Sequence, residues 1–284
     1  MQQLNLVRLE DSDIKYSISR FPDGEVQISL EEFSHKEQVL VKCRVTNAED
    51  LFILIQVLDI LDRHEVLYKL NIYYLMSMRM DRVMGFNRPF TLKIVLNILK
   101  NCNAETIEIL EPHSDVYYDP KFGVKFMPLY VEKNPSNNTW KEFQLVFPDA
   151  GAEKRNEFRY NNTTITCSKV RDLTTGKILE IKVNNPENIQ DKPLLILDDL
   201  CDGGGTFCGI AKAFTALNIP KERLNIAVTH MVNPKGIKNL SENFNHVWFT
   251  NSYKDWDNLP ENVTMFKVCL LYTSPSPRDR SLSR

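Results

Sequence analysis

The stretch LLILDDLCDGGGTF, residues 194–207, constrains the fold of this chain more than any other. Leu194 to Leu197 form a short apolar run bounded on both sides, the pattern of a strand buried on both faces. Beyond the glycines, Phe207, Ile210, Phe214 and Leu217 recur at helical spacing. A helix is therefore expected to start near Thr206, a good N-cap. Strand, glycine loop and helix start, in that order, make an anion site. Free N–H groups and the positive end of the helix dipole face outward there.

The residues also restrict which anion it is. A Walker A loop needs a lysine after its last glycine, and none is present. A dinucleotide fingerprint needs a third glycine where Cys208 stands. Carboxylates repel phosphate but accept hydrogen bonds well from sugar hydroxyls. Asp198 and Asp199 beside Gly203, Gly204, Gly205 and Thr206 thus suit vicinal hydroxyls next to a phosphate, as in a ribose phosphate. Gly204 is expected to leave room for the phosphate, so that valine there would block it.

Length and composition set the frame. A chain of 284 residues points to two domains. Its 43% hydrophobic and 25% charged residues are ordinary for a globular protein. A net charge of −2 gives no general attraction to nucleic acid or to an acidic membrane, so phosphate binding must be local. The six cysteines (43, 102, 167, 201, 208 and 269) contain no Cys-x-x-Cys pair and read as reduced thiols of a cytoplasmic protein. No signal-peptide pattern opens the sequence. LFILIQVLDIL is too short to span a bilayer and is interrupted by Gln56 and Asp59, which makes it an amphipathic core helix. From about residue 270 the composition turns abruptly to Ser, Pro and Arg. That stretch resembles translated sequencing-adapter sequence, so residues 270–284 are expected to be a non-native tail and the natural C-terminus to be missing.

Strands and helices alternate through the chain, which predicts an α/β fold with largely parallel sheets. In the first half VLVKCRV, LNIYYLMSM and ETIEIL read as strands. The helices between them are NAEDLFILIQVLDILDRHE and TLKIVLNILKNC, the latter with Leu92, Val95, Leu96 and Leu99 on one face. The polar stretch EKNPSNNTWKE, 132–142, marks the boundary. In the second half FQLVF, TTITCSKVRD, KILEIKV, PLLILDDL and LNIAVTH continue the pattern. Ligands of open α/β sheets collect beyond the carboxyl ends of the strands. Unusual polar residues stand at such ends: Arg79, Asp81 and Arg82; His113; Asp149; Lys169 and Arg171; and the acidic glycine loop.

RFPDGEVQI, RMDR, PHSD, FPDAGAEKR, SKVR, LDDLCDGGGTF and AVTH, in this order across about residues 15–268, resemble the ribose-phosphate diphosphokinase family, the phosphoribosyl pyrophosphate synthetases. The acidic loop alone would indicate only the broader type I phosphoribosyltransferase fold. RFPDGEV and RMDR upstream narrow the match.

The resemblance implies two tandem type I phosphoribosyltransferase-like domains, with an ATP side at 1–135 and a ribose 5-phosphate side at 136–269. It implies a reaction in which the anomeric hydroxyl of ribose 5-phosphate attacks the β-phosphorus of ATP, giving phosphoribosyl pyrophosphate and AMP. Phe21, Asp23 and Glu25 would lie at the adenine, on a loop from a neighbouring subunit, so a homo-oligomer with its active site near a subunit interface is implied. Arg79 and Arg82 would face the triphosphate beside Met80, with Asp81 holding the adenine loop. His113 and Asp149 would sit by Mg²⁺. Lys169 and Arg171, on a mobile loop, would stabilise the transferring group. Asp198, Asp199, Asp202 and Gly203 to Thr206 would hold ribose 5-phosphate.

The physical chemistry agrees, because such a transfer needs mainly cations around the migrating phosphates. Departures from the family pattern are Met80 in place of glutamine, Gly203 in place of threonine, the EPHSD context and the lack of a middle arginine in Lys169-Val170-Arg171. Two alternatives share parts of the pattern: a phosphoribosyltransferase consuming phosphoribosyl pyrophosphate, and a non-catalytic regulatory relative of the synthase.

Overall fold

The structure is a computed structural model, and it describes residues 1–114, 120–125, 142–156, 164–171 and 178–268. The tail from 270 on and all but the last residue of the 132–142 stretch lie outside the described residues. The chain divides into two units, Met1–Phe126 and Met127–Arg284.

The first unit is built on a parallel sheet in the order β1 (Gln2–Asn5), β4 (Val39–Val45), β5 (Tyr68–Leu75), β6 (Thr106–Leu110), β7 (Phe122–Lys125). Helix α1 (Ala48–Arg63) follows β4, and α2 (Thr91–Lys100) follows β5. Asn47 starts α1 by accepting the Glu49 and Asp50 N–H groups, which would otherwise be orphaned in the first turn. Leu51, Leu54, Val57, Leu58 and Leu61 form its buried stripe, and the predicted Leu92, Val95, Leu96 and Leu99 form that of α2.

An antiparallel hairpin, β2 (Tyr16–Arg20) with β3 (Val26–Leu30), stands apart from this sheet. Gln56 docks it: its amide oxygen accepts the Ile28 N–H at 3.2 Å, and its amide nitrogen donates to the Val26 carbonyl at 3.1 Å. The polar residue that interrupts the apolar helix sequence thus satisfies the free edge of a strand.

The second unit carries a seven-stranded sheet. Its order is β10 (Ile178–Val183), β9 (Ile165–Arg171), β8 (Gln144–Phe147), β11 (Leu194–Cys201), β12 (Leu224–Met231), β13 (His246–Thr250), β14 (Val263–Phe266). All neighbours are parallel except β10 with β9. The chain leaves β8 through α3 (Ala150–Asn156) to β9 on one side. It returns at β11 on the other side and runs through α4 (Gly205–Ala216), β12 and α5 (Pro234–Asn243) to β13. Right-handed crossovers in opposite directions put α3 on one face and α4 and α5 on the other.

The core follows that division. Phe207, Ile210, Phe214, Ile237 and Leu240 of α4 and α5 cluster with Leu194, Ile196, Ile226 and Val228. Ala152 of α3 clusters with Leu145, Phe147, Leu195 and Trp248. Successive residues of Leu194 to Leu197 therefore serve opposite faces, which is why the run is continuously apolar. Among the described residues no helix is long and apolar enough to cross a membrane.

Three local expectations are corrected. Helix α4 begins at Gly205, and its N-cap is Gly204 rather than Thr206. Gly204 turns the chain with φ 77°, a left-handed conformation open to glycine, so no capping side chain is used. Leu217 is the exposed C-cap of α4 and does not extend the buried stripe. Lys169 and Arg171 lie within strand β9 rather than on a loop, because β10 continues the ladder to the pair Ile178 and Arg171.

Candidate active site

The second unit has a topological switch point at β8 and β11, where an open α/β sheet forms its ligand crevice. Asp149 follows β8 directly, and Asp198 and Asp199 occupy the carboxyl end of β11. Lys169 comes from the neighbouring β9, and its Nζ donates to Asp149 Oδ2 at 2.8 Å. The other oxygen of Asp149 accepts the Ala152 N–H at 3.0 Å and so caps α3. Burial works to raise the Asp149 pKa. The Lys169 hydrogen bond, the Ala152 N–H and the charges of Lys169 and Arg155 outweigh it and hold the carboxyl below its ordinary value.

Sequence reasoning missed Arg155. From α3 its Nη2 donates to Asp198 Oδ1 at 3.2 Å and to Asp199 Oδ1 at 2.9 Å, across the switch point. Asp199 is 3% exposed and Asp198 15%. Burial and the adjacent Asp199 charge raise the Asp198 pKa well above the ordinary carboxylate value, and Arg155 offsets only part of that. A buried acid pair bridged by the Arg155 guanidinium is an acceptor-rich surface suited to paired hydroxyls. The signal was present in FPDAGAEKR, where Arg155 stands near the end of the short helix that Asp149 starts.

After β11 the chain turns through Asp202, Gly203 and Gly204 into α4. Added Cβ atoms at Gly203 and Gly205 would meet open space. One at Gly204 would point at Asn239, Gly236 and Leu240 of α5. Gly204 is therefore needed for its backbone conformation and its packing on α5, and the room beside the loop lies at Gly203 and Gly205. Thr206 falls in the first turn of α4. Helix α5 supplies further polar groups that the sequence did not flag. Asn233 donates to Asp202 Oδ1 at 2.9 Å, and Asn239 to the Gly203 carbonyl at 2.7 Å.

The first unit presents its own expected residues. Phe21, Asp23 and Glu25 form the hairpin turn, where Asp23 Oδ1 accepts the Glu25 N–H and Gly24 is left-handed at φ 96°. Phe21 is half-exposed. Arg79, Met80, Asp81 and Arg82 follow β5 after a left-handed Ser77. The Met80 carbonyl accepts the Leu92 N–H, tying this segment to the start of α2. The Arg82 side chain is 77% exposed and 4.0 Å from Asp81. His113 follows β6, two residues after a left-handed Glu111. Of Arg171 only the backbone is described.

No group of three or more His, Cys, Asp or Glu side chains that could hold a metal occurs among the described residues. A hard ion such as Mg²⁺ does not require one, since it is often held by one or two carboxylates, with waters and substrate phosphates completing its shell. Asp149, ionised and 39% exposed, fits that requirement.

Two α/β units with mainly parallel sheets, the second with an acidic glycine loop at its switch point, agree with the expected phosphoribosyltransferase-like fold. The fold is similar to that of phosphoribosylpyrophosphate synthetase from Mycobacterium smegmatis, with a TM-score of 0.73, 19% identity and coverage of 93% of this chain and 89% of that one. Similar sequences include the ribose-phosphate pyrophosphokinase of Sulfurisphaera tokodaii, 26% identical over 206 residues, 68% of this chain and 69% of the relative. That of Granulibacter bethesdensis is 26% identical over 212 residues, 71% and 67%. That of Corynebacterium ammoniagenes is 27% identical over 209 residues, 70% and 65%. The aligned stretches thus span about two thirds of each relative's length. No protein-family profile matches the chain. In sequence and in fold the chain is thus similar to the ribose-phosphate pyrophosphokinases, the family its motifs resemble.

Proposed function

We propose that the chain transfers the diphosphoryl group of ATP to the anomeric hydroxyl of ribose 5-phosphate, giving phosphoribosyl pyrophosphate and AMP. The observation that carries this reading is the buried Asp198–Asp199 pair beside the start of α4, at the switch point of the second sheet. The acids accept from the ribose hydroxyls, and the loop Gly203 to Thr206 receives the 5-phosphate on the N–H groups that face outward, with Asp202 at the edge of the loop. The anomeric oxygen forms a bond to the β-phosphorus as the bond from that phosphorus to the α,β-bridging oxygen breaks. AMP departs, and the hydroxyl proton is released.

Lys169 and Arg171 are the catalytic cations, stabilising charge on the transferring group. Asp149 holds Lys169 in place, and it would hold Mg²⁺ together with the phosphates, with His113 as a further contact. When bound, Mg²⁺ supplies Lewis-acid stabilisation of the phosphate charge. Residues 1–135 form the ATP side, with Phe21, Asp23 and Glu25 at the base and Arg79, Met80, Asp81 and Arg82 at the triphosphate. Residues 136–269 form the ribose 5-phosphate side. The half-exposed Phe21 and Ile18 of the hairpin support a homo-oligomer in which this hairpin meets a neighbouring copy. The free cysteines 43, 102, 167, 201 and 208 support a cytoplasmic setting. The test is AMP formation from ATP. The reading requires that it depend on both ribose 5-phosphate and Mg²⁺, and AMP formed equally without the sugar phosphate would sink it.

A further inference from the structure

We propose that helix α5 is the positioning element of the sugar phosphate loop, with Asn233 and Asn239 holding Asp202 and Gly203 in their binding arrangement over Gly236. This rests on the ribose 5-phosphate reading of the loop. Each contact falls on a different part of the turn. The Asn239 amide donates to the Gly203 carbonyl at 2.7 Å, and the Asn233 amide donates to Asp202 Oδ1 at 2.9 Å. The Val232 N–H donates to the Cys201 carbonyl at 3.0 Å.

Gly236 lies directly beneath. A Cβ there would fall far inside contact distance of the Asp202 carbonyl and within 3.0 Å of Cys201 Sγ. Only glycine lets α5 approach the loop this closely. The carbonyl of Gly203 is thus drawn toward α5, on the side away from an incoming anion, which would be repelled by it. The Gly204 N–H faces Cys201 Sγ, and those of Gly203, Gly205 and Thr206 are left for the phosphate.

Asn233 separates this role from simple helix stability. Its Oδ1 accepts the Lys235 N–H at 2.9 Å, capping α5, while its Nδ2 reaches Asp202. Aspartate at this position keeps the cap but cannot donate, and it sets a carboxylate against Asp202. Asn233→Asp should therefore leave thermal stability within about 2 °C of wild type while displacing Asp202. Asn239→Leu removes the other donor while keeping the number and branching of the side-chain heavy atoms.

Two measurements on the full chain decide the matter. Amide hydrogen exchange in the ligand-free protein reads the loop itself, at Gly204, whose N–H faces Cys201 Sγ. Exchange there should quicken at least about tenfold in both variants, with β11 and β12 protection unchanged. Unchanged exchange at Gly204 would overturn the proposal whatever the ligand. Steady-state assays should show KM for ribose 5-phosphate raised about tenfold with kcat little changed, the signature of lost ground-state binding. Wild-type KM in Asn233→Asp would overturn the positioning role. Failure of wild type to bind ribose 5-phosphate would instead overturn the ligand reading, and hydrogen exchange would still decide what α5 does.

Discussion

Lys169 Nζ stands 2.8 Å from Asp149 Oδ2, a contact made between strand β9 and the segment that follows its neighbour β8 rather than within one loop. Lys169→Ala should lower kcat by about 10²–10³ while ribose 5-phosphate binding is retained, as loss of a transition-state contact does. A change confined to KM would contradict the assigned role. The same pair sets an acid limb. Asp149 is held below its ordinary pKa, so its contribution to stability is present above the unfolded value and is lost as pH falls through the folded one. With Asp149 39% exposed, that contribution stays below about 1 kcal/mol. Carboxyl NMR of Asp149 should show a higher midpoint in Lys169→Met.

Arg155 gives a sharper effect, because Asp198 and Asp199 are buried. Arg155→Met removes the guanidinium that bridges the two carboxylates and should destabilise the protein by about 3–5 kcal/mol at pH 8. Asp198 has a raised pKa, so stability that is full below the unfolded value is lost as pH rises through the folded one. The cost of the variant should therefore shrink toward pH 4, where the pair takes up protons. Urea unfolding at both pH values checks this, and an equal cost at each would count against the pairing.

Asp199→Asn keeps the shape and one acceptor but removes charge-assisted contacts to sugar hydroxyls, typically about 1.5–3 kcal/mol each. Titration with ribose 5-phosphate and its 2-deoxy analogue should show a clear wild-type preference for ribose, narrowed in the variant. Equal binding of both sugars by wild type would remove Asp199 from hydroxyl recognition.

Valine at Gly204 and at Gly205 should separate conformation from access. Gly204→Val meets a left-handed backbone and α5, so it should destabilise the fold by about 1–3 kcal/mol. The Gly205 position opens on free space, so Gly205→Val should leave melting little changed and instead crowd the phosphate. Calorimetry paired with phosphate titration distinguishes them, and full phosphate affinity in Gly205→Val would place the anion elsewhere.

Gln56→Leu should release the hairpin, since it leaves the Ile28 N–H and Val26 carbonyl without their partner. A cost of about 1–3 kcal/mol follows if those groups stay buried. Exchange of the Ile28 amide should rise well before that of β4 and β5. Protection unchanged from wild type would show that the hairpin is held by other contacts.

The sequence by itself determined what is periodic or locally chemical. Alternating apolar runs specified parallel strands and amphipathic helices, and the helical face of Leu92, Val95, Leu96 and Leu99 is buried as spacing demands. The order of motifs such as RMDR and LDDLCDGGGTF carried the likeness to the ribose-phosphate pyrophosphokinases. Tertiary structure alone decided which distant groups meet, because strand order is not written in local periodicity. Arg155 reaches Asp198 and Asp199 only because β11 returns beside β8. Lys169 reaches Asp149 only because β9 takes the other side. Asn233, Gly236 and Asn239 were not singled out in the sequence, and they meet the loop only because α5 packs under it. Even the N-cap of α4 moved from Thr206 to Gly204, because a left-handed turn closed against α5 takes the place of a side-chain cap.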